Sequence, residues 1–166
     1  MFRVAILTVS DRSAQGVRDD ASGAVIRELV TTQLAAEVVA YAIVPDERPA
    51  IEAALRRWAD ERVADLILTT GGTGLAPRDV TPEATRAVIE REVPGIPEAM
   101  RAASLAITPF AMLARMVAGT RGQSLIINLP GSPKGVRENL SVVLPALTHG
   151  LEKLLGDPND CAPVDR

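Results

Sequence analysis

Two acids, a run of glycines and a serine define the chemistry that this sequence can support. Gly71, Gly72 and Gly74 stand in the segment G-G-T-G (71–74). Their missing side chains expose backbone N–H groups and admit a ligand close to the main chain. Consecutive amides in such a turn can form a concavity suited to an anion. Ser132 opens a stretch with helical apolar spacing, where a helix N-terminus would add free N–H groups and the positive end of a dipole. Asp46 and Asp79 are carboxylates that could hold Mg²⁺ or accept a proton. Each has a plainer reading as well. A Gly-Gly-x-Gly turn often only connects elements. Asp46 before a helix could cap it, and Asp79 could favour the helix starting at Thr81 through its dipole. Ser132 is first of all an N-cap. His149 reads as structural or solvated, and the remaining Arg and Glu residues as solvated faces.

Several familiar chemistries are excluded. No Gly-Lys-Ser/Thr follows the glycines, and no Gly-x-Gly-x-x-Gly follows the first strand, so neither a Walker A loop nor a dinucleotide fingerprint is present. There is no His/Cys cluster for zinc and no Gly-x-Ser-x-Gly elbow. The one cysteine, Cys161, sits in a polar tail and reads as a surface thiol. A net charge of −3 argues against a nucleic-acid partner. The opening residues are too short for a signal h-region, and no apolar run nears the ~20 residues of a membrane span, so a cytoplasmic protein with no membrane partner is expected.

The elements that must position these residues follow from apolar spacing. At 166 residues the chain fits one domain; with 47% apolar residues but only 2% aromatic, its core must be aliphatic. Residues 3–9, 37–44 and 64–70 read as buried strands, and a fourth, S-L-I-I-N-L (124–129), follows a hairpin or bend around Gly119-Thr120-Arg121-Gly122. Helical spacing places Val25, Ile26, Leu29, Val30 and Leu34 on one face, and Ile51, Leu55 and Trp58 on another. Thr81-Pro82 reads as an N-cap with proline at the first helical position, and Pro94-Gly95 as that helix's end. Residues 97–107 are helical again. A closing helix carries Val136, Leu140, Val143, Leu147 and Leu151, with Pro145 the place for a kink. Strands alternating with helices make an α/β fold: a single domain of three layers, its mostly parallel sheet covered by helices on both faces. In such a sheet the loops Ser10-Asp11-Arg12, Pro45-Asp46-Glu47, Gly71 to Asp79 and Pro130 to Ser132 all emerge at the carboxyl edge, where ligands bind.

The residues then become recognisable. T-T-G-G-T-G-L-A-P-R-D-V-T-P-E-A-T (69–85) resembles the signature of the MogA/MoaB-type molybdenum cofactor biosynthesis family, which includes the molybdopterin adenylyltransferases. L-T-V-S-D-R (7–12), V-P-D-E (44–47), S-L-x-I-T-P-F-A-M-L (104–113) and I-I-N-L-P-G-S-P-K (126–134) match it in order. The resemblance spans residues 3–155 and leaves 156–166 as a polar C-terminal tail. It implies a cytoplasmic homotrimer that transfers the adenylyl group of Mg-ATP to molybdopterin, releasing pyrophosphate, with the molybdenum-inserting transferase as a further partner. It places Asp46 and Asp79 on the family's two essential acids, which are also its metal ligands. Gly71, Gly72, Thr73 and Gly74 fall on the main ligand loop. Ser10, Asp11, Asn128, Pro130, Gly131 and Ser132 fall on flanking pocket segments, and Ser104 on a serine position beside the pocket. Where the family often has Ser-Arg, this chain reads Ala114-Arg115. Two other readings stand beside the enzyme. One is a catalytically silent pterin-binding trimer. The other is a related domain of the inserting transferase or of competence-type proteins, against which the chain's length counts.

Overall fold

The computed structural model describes residues 1–158; Cys161 and most of the polar tail lie outside them. In chain order the elements are β1 (Phe2–Val9), α1 (Asp11–Ala14), α2 (Ala21–Gln33), β2 (Ala36–Val44), α3 (Arg48–Asp60), β3 (Leu66–Thr70) and α4 (Thr81–Val88). They continue through β4 (Arg91–Glu92), α5 (Gly95–Leu105), a 3-10 turn (Pro109–Leu113), β5 (Ala118–Arg121), β6 (Ser124–Leu129) and α6 (Pro133–Leu154). The six strands form one sheet in the order β2-β1-β3-β6-β5-β4. β2, β1, β3 and β6 run parallel, while β5 and β4 add antiparallel at one edge.

Alternation along the buried strands divides the core into two layers. Val4, Ile6, Leu66, Leu68, Leu125 and Ile127 face the side covered by α2, α5 and α6. Ala5, Leu7, Ile67 and Ile126 face the side covered by α3 and α4. The apolar stripes anticipated on the helices are the buried ones: Ile51, Leu55 and Trp58 on α3, and Val136, Leu140, Val143, Leu147 and Leu151 on α6. Pro145 lies inside α6 without ending it. No helix among the described residues is long and apolar enough to cross a membrane.

Three local expectations need correction. The helix begun at Thr81 ends at Val88 rather than at Pro94-Gly95, because Glu90 N–H and Val93 N–H turn to the Thr120 and Ala118 carbonyls and make the short strand β4. Pairing with an edge strand supplies those amides with partners that a longer helix would otherwise provide. Thr81 is not the N-cap either. That position belongs to Val80, which makes no side-chain cap, and Pro82 falls one residue later than expected. The segment Ser10-Asp11-Arg12, read as a loop, instead opens α1, capped by Ser10 Oγ accepting from Ser13 N–H.

Candidate active site

The chain leaves β1 for β2 on one side and comes back to β3 on the other, so the connections diverge between β1 and β3. That divergence opens a crevice at the carboxyl edge. It is a cleft of about 350 Å³, lined from the β1 loop by Ser10 and Asp20, from the β2 loop by Asp46, and from the β3 loop by Gly71, Gly72 and Asp79. Gly131 and Ser132 close it from the β6 side. The four loops selected from the sequence therefore do meet.

The glycine loop is shaped by its own neighbours before any ligand arrives. Gly71 and Gly72 have φ of +96° and +66°, the left-handed region that favours glycine. A Cβ on Gly71 would stand 2.2 Å from the Val9 carbonyl oxygen, and one on Gly72 would stand 2.3 Å from Thr81 Oγ1. Thr81, fully buried, closes this turn: its hydroxyl donates to the Gly71 carbonyl (2.9 Å) and its N–H to that of Gly72 (3.1 Å). The threonine that the sequence suggested as a cap therefore ties down the glycine loop.

The two acids are held differently. Asp46 and Asp11 exchange hydrogen bonds. Asp11 N–H donates to Asp46 Oδ2 (2.8 Å), and Asp46 N–H donates to Asp11 Oδ1 (2.9 Å). Asp46 thus does not cap α3, whose N-cap is Glu47. Burial pushes the Asp46 carboxyl up, and the negative charges of Asp11 and Asp79 add to this, while the Asp11 N–H and Arg78 oppose it. Asp79 Oδ2 accepts from Ala76 N–H (2.9 Å) and closes a tight turn. Asp79 therefore braces its own loop and does not merely precede α4. Ser132 caps α6 as expected, its Oγ accepting from Gly135 N–H (3.0 Å).

A second, more apolar cleft of about 540 Å³ adjoins the first and shares Ser132 with it. Ser104, Pro130, Met116, Arg101 and Lys134 line it, as does Ala114. Ser104 Oγ donates to Asn139 Oδ1 (3.3 Å). Thr73 is buried, its carbonyl accepting from Arg115 N–H (2.9 Å), and Gly74 packs beside the Asp79 carboxylate. Asn128 lines neither cleft. It is fully buried on the α3/α4 side of the sheet, where its Nδ2 donates to Thr69 Oγ1 and Thr85 Oγ1 and its Oδ1 accepts from Val117 N–H.

Comparison with known proteins places the chain in a family. Residues 5–149 match the family model described as "Probable molybdopterin binding domain". The chain belongs to the MogA/MoaB-type molybdenum cofactor biosynthesis family. It is 46% identical over 157 residues to the molybdopterin adenylyltransferase of Helicobacter pylori, covering 94% of this chain and 89% of that one. Gephyrin of Dictyostelium discoideum is 45% identical over 169 residues, which cover 96% of this chain but only 23% of gephyrin. Among solved structures, the molybdopterin biosynthesis enzyme MoaB from Thermus thermophilus is 57% identical, covers 95% of this chain and 99% of that one, and superposes with a TM-score of 0.89.

Two arginines that sequence reading left without a role tie the loops of this candidate site together. Arg78 forks onto Asp11, Nε to Oδ2 (2.5 Å) and Nη2 to Oδ1 (2.9 Å). Arg115 reaches back to the glycine loop, donating from Nε to the Gly74 carbonyl (2.8 Å) and from Nη2 to that of Asp79 (2.7 Å), while Nη1 pairs with Glu83. Arg78 lies in the quoted signature and Arg115 just after the motif that ends at Leu113, but their partners are 67 and 41 residues away for Asp11 and Gly74. Spacing alone could not have found them.

Proposed function

We infer that the protein transfers the adenylyl group of ATP to molybdopterin in its paired clefts. The observation that carries the reading is that Asp46 and Asp79 face one cleft floored by the backbone of Gly71 and Gly72, while Ser132 joins that cleft to a larger, more apolar one. The two clefts match two ligands of different character. Nucleotide phosphates lie over Gly71 to Gly74 beside the acids. The pterin phosphate lies near Ser132 and the amides that open α6, with Arg101 and Lys134 at the edge of the pterin cleft.

The acids fit Mg²⁺. Among the described residues no group of three or more His, Cys, Asp or Glu could hold a metal by itself. Mg²⁺ in phosphoryl-transfer sites needs no such cage, being bound through one or two carboxylates together with substrate phosphates. The Asp46 carboxyl, raised first by burial and then by the charges of Asp11 and Asp79, agrees with this, since a cation would offset the repulsion between the acids. When bound, the ion supplies charge neutralisation on the phosphate oxygens.

In the reaction, a pterin phosphate oxygen bonds to the α-phosphorus and the bond to the bridging oxygen of the β-phosphate breaks. Pyrophosphate leaves with that electron pair. The nucleophile is already ionised, so no side chain must take its proton. The chain's contribution is positioning and electrostatics: amides for the phosphates, acids for the cation, and two walls that hold the reacting groups together. This accounts for a site built without catalytic His, Cys or Lys. The exposed side chains of Ile107, Phe110, Met112 and Leu113 support a homotrimer in which this apolar turn is covered.

The test is Asp79→Asn, which keeps the side chain's shape and removes its charge. Turnover falls at least ~100-fold, or about 2.7 kcal/mol, with folding intact. Unchanged turnover would reduce Asp79 to a turn residue, whereas absent turnover in the native chain would favour a pterin-binding protein without activity.

A further inference from the structure

We propose that Arg78 and Asp11 are positioning residues that fix the carboxylate of Asp46 and its spacing from Asp79. The proposal rests on the reading of Asp46 and Asp79 as the acids that serve Mg-ATP. Its ground is a chain of hydrogen bonds across three loops, from Asp46 through Asp11 to Arg78. Asp46 leaves β2 after Pro45 and has two contacts with Asp11, one through its backbone and one through its carboxylate. Together they define both the position and the rotation of the side chain. Oδ2 is occupied by Asp11 N–H, and Oδ1 is left on the side of Gly72, 3.2 Å from where a Cβ there would stand. One oxygen is tied back and one is presented to the cleft.

This arrangement places a second carboxylate, that of Asp11, directly beside a functional one. Like charges so close repel, and the Arg78 fork answers that cost. The guanidinium binds both Asp11 oxygens and also approaches Glu47 at 3.9 Å. Arg78 immediately precedes Asp79 in the chain. One guanidinium therefore links the loop that carries Asp79 to the loop that aligns Asp46, and the gap between the two acids is spanned by a planar bidentate contact. Lysine cannot reproduce that contact, because an ammonium lacks the fork.

Magnitude separates this role from a purely structural one. The pair is open to solvent, with the Arg78 side chain 57% and the Asp11 side chain 31% exposed. Exposed ion pairs contribute little to stability. Partners that orient metal-binding carboxylates, in contrast, commonly change metal affinity or activity by ~10–100-fold when removed. Arg78 should thus matter far more to Mg-ATP than to folding.

The experiment is a mutant cycle read by calorimetric Mg-ATP binding and by adenylyl transfer. Arg78→Ala is made in the native chain and in an Asp46→Asn background, with thermal unfolding followed for each variant. Arg78→Ala weakens Mg-ATP binding and lowers kcat by ~10–100-fold in the native background, with the pterin KM little changed. In Asp46→Asn the same change costs less than about 2-fold, since the group it orients is already disabled. Arg78→Lys restores only part of the loss. Equal losses in both backgrounds would overturn the proposal, showing that Arg78 acts on the ligand directly. A loss explained by lower unfolding temperature, or full rescue by lysine, would overturn it too. If the native chain binds Mg-ATP but transfers nothing, the enzymatic reading fails while the binding cycle still judges the positioning role. Absent Mg-ATP binding would overturn both.

Discussion

Replacing Asn128 by alanine distinguishes a residue that shapes the site from one that touches a ligand. The family resemblance put Asn128 in a pocket segment, yet its side chain is fully buried between β3 and α4. Truncation removes the acceptor of the Val117 N–H (3.1 Å) and the donor shared by Thr69 and Thr85 (3.0 and 2.9 Å). The two hydroxyls can rotate towards each other or a carbonyl, but the buried amide has no such freedom. Counting one stranded amide at ~1–3 kcal/mol and a smaller loss at the hydroxyls gives about 3 kcal/mol of destabilisation. For a chain of this size that is a fall of roughly 6–12 °C in the unfolding midpoint. Urea unfolding at fixed protein concentration, followed through the fluorescence of Trp58, measures it. Trp58 is the one tryptophan and is buried, so its signal reports global unfolding. The affinity for Mg-ATP should change less than about 2-fold. A variant of native stability whose nucleotide affinity collapsed would refute the reasoning and return Asn128 to the ligand.

Two further outcomes follow from other parts of the molecule. Tyr41, the one tyrosine, is pushed up to about 12 by burial and by its hydrogen bond to Asp20, so its phenolate absorbance should rise near pH 12. Because the folded value lies above the ordinary ~10, this stabilisation is complete below pH ~10 and disappears as pH rises towards 12; a midpoint near 10 would contradict it. Light scattering should give three times the chain mass for the native protein and the single mass for Phe110→Glu combined with Met112→Glu, whereas a native monomer would refute the trimer.

The legible part of this protein is the part written in local patterns. Continuous apolar runs marked β1 and β3, 3.6-residue spacing marked α3 and α6, and the convergence of four loops followed from a parallel sheet. Ser132 could be read because an N-cap bonds only three residues ahead. Thr81 misled because its hydroxyl serves the Gly71 carbonyl ten residues back instead of its own helix. The resemblance put Asn128 on a pocket segment, and the fold turns its side chain away from both clefts. Its fate was decided by Thr69, its neighbour in the β3–β6 register, and by Thr85 on α4. Arg78 and Arg115 carry the charge of ordinary surface residues, and only the folded chain brings their partners into reach. Gly71 and Gly72 do line the cleft, but the reason for glycine there is partly internal. A Gly72→Val change would collide with Thr81 before it met a nucleotide, so it cannot report on ligand approach alone.

The most direct test of the central claim is a single-turnover reaction of the native protein with Mg-ATP and molybdopterin, in which both products are counted. We expect one pyrophosphate released per adenylylated pterin, with the pterin mass raised by one adenylyl group and no pyrophosphate formed when molybdopterin is omitted. Binding of both ligands without either product, or pyrophosphate release that does not depend on the pterin, would contradict it.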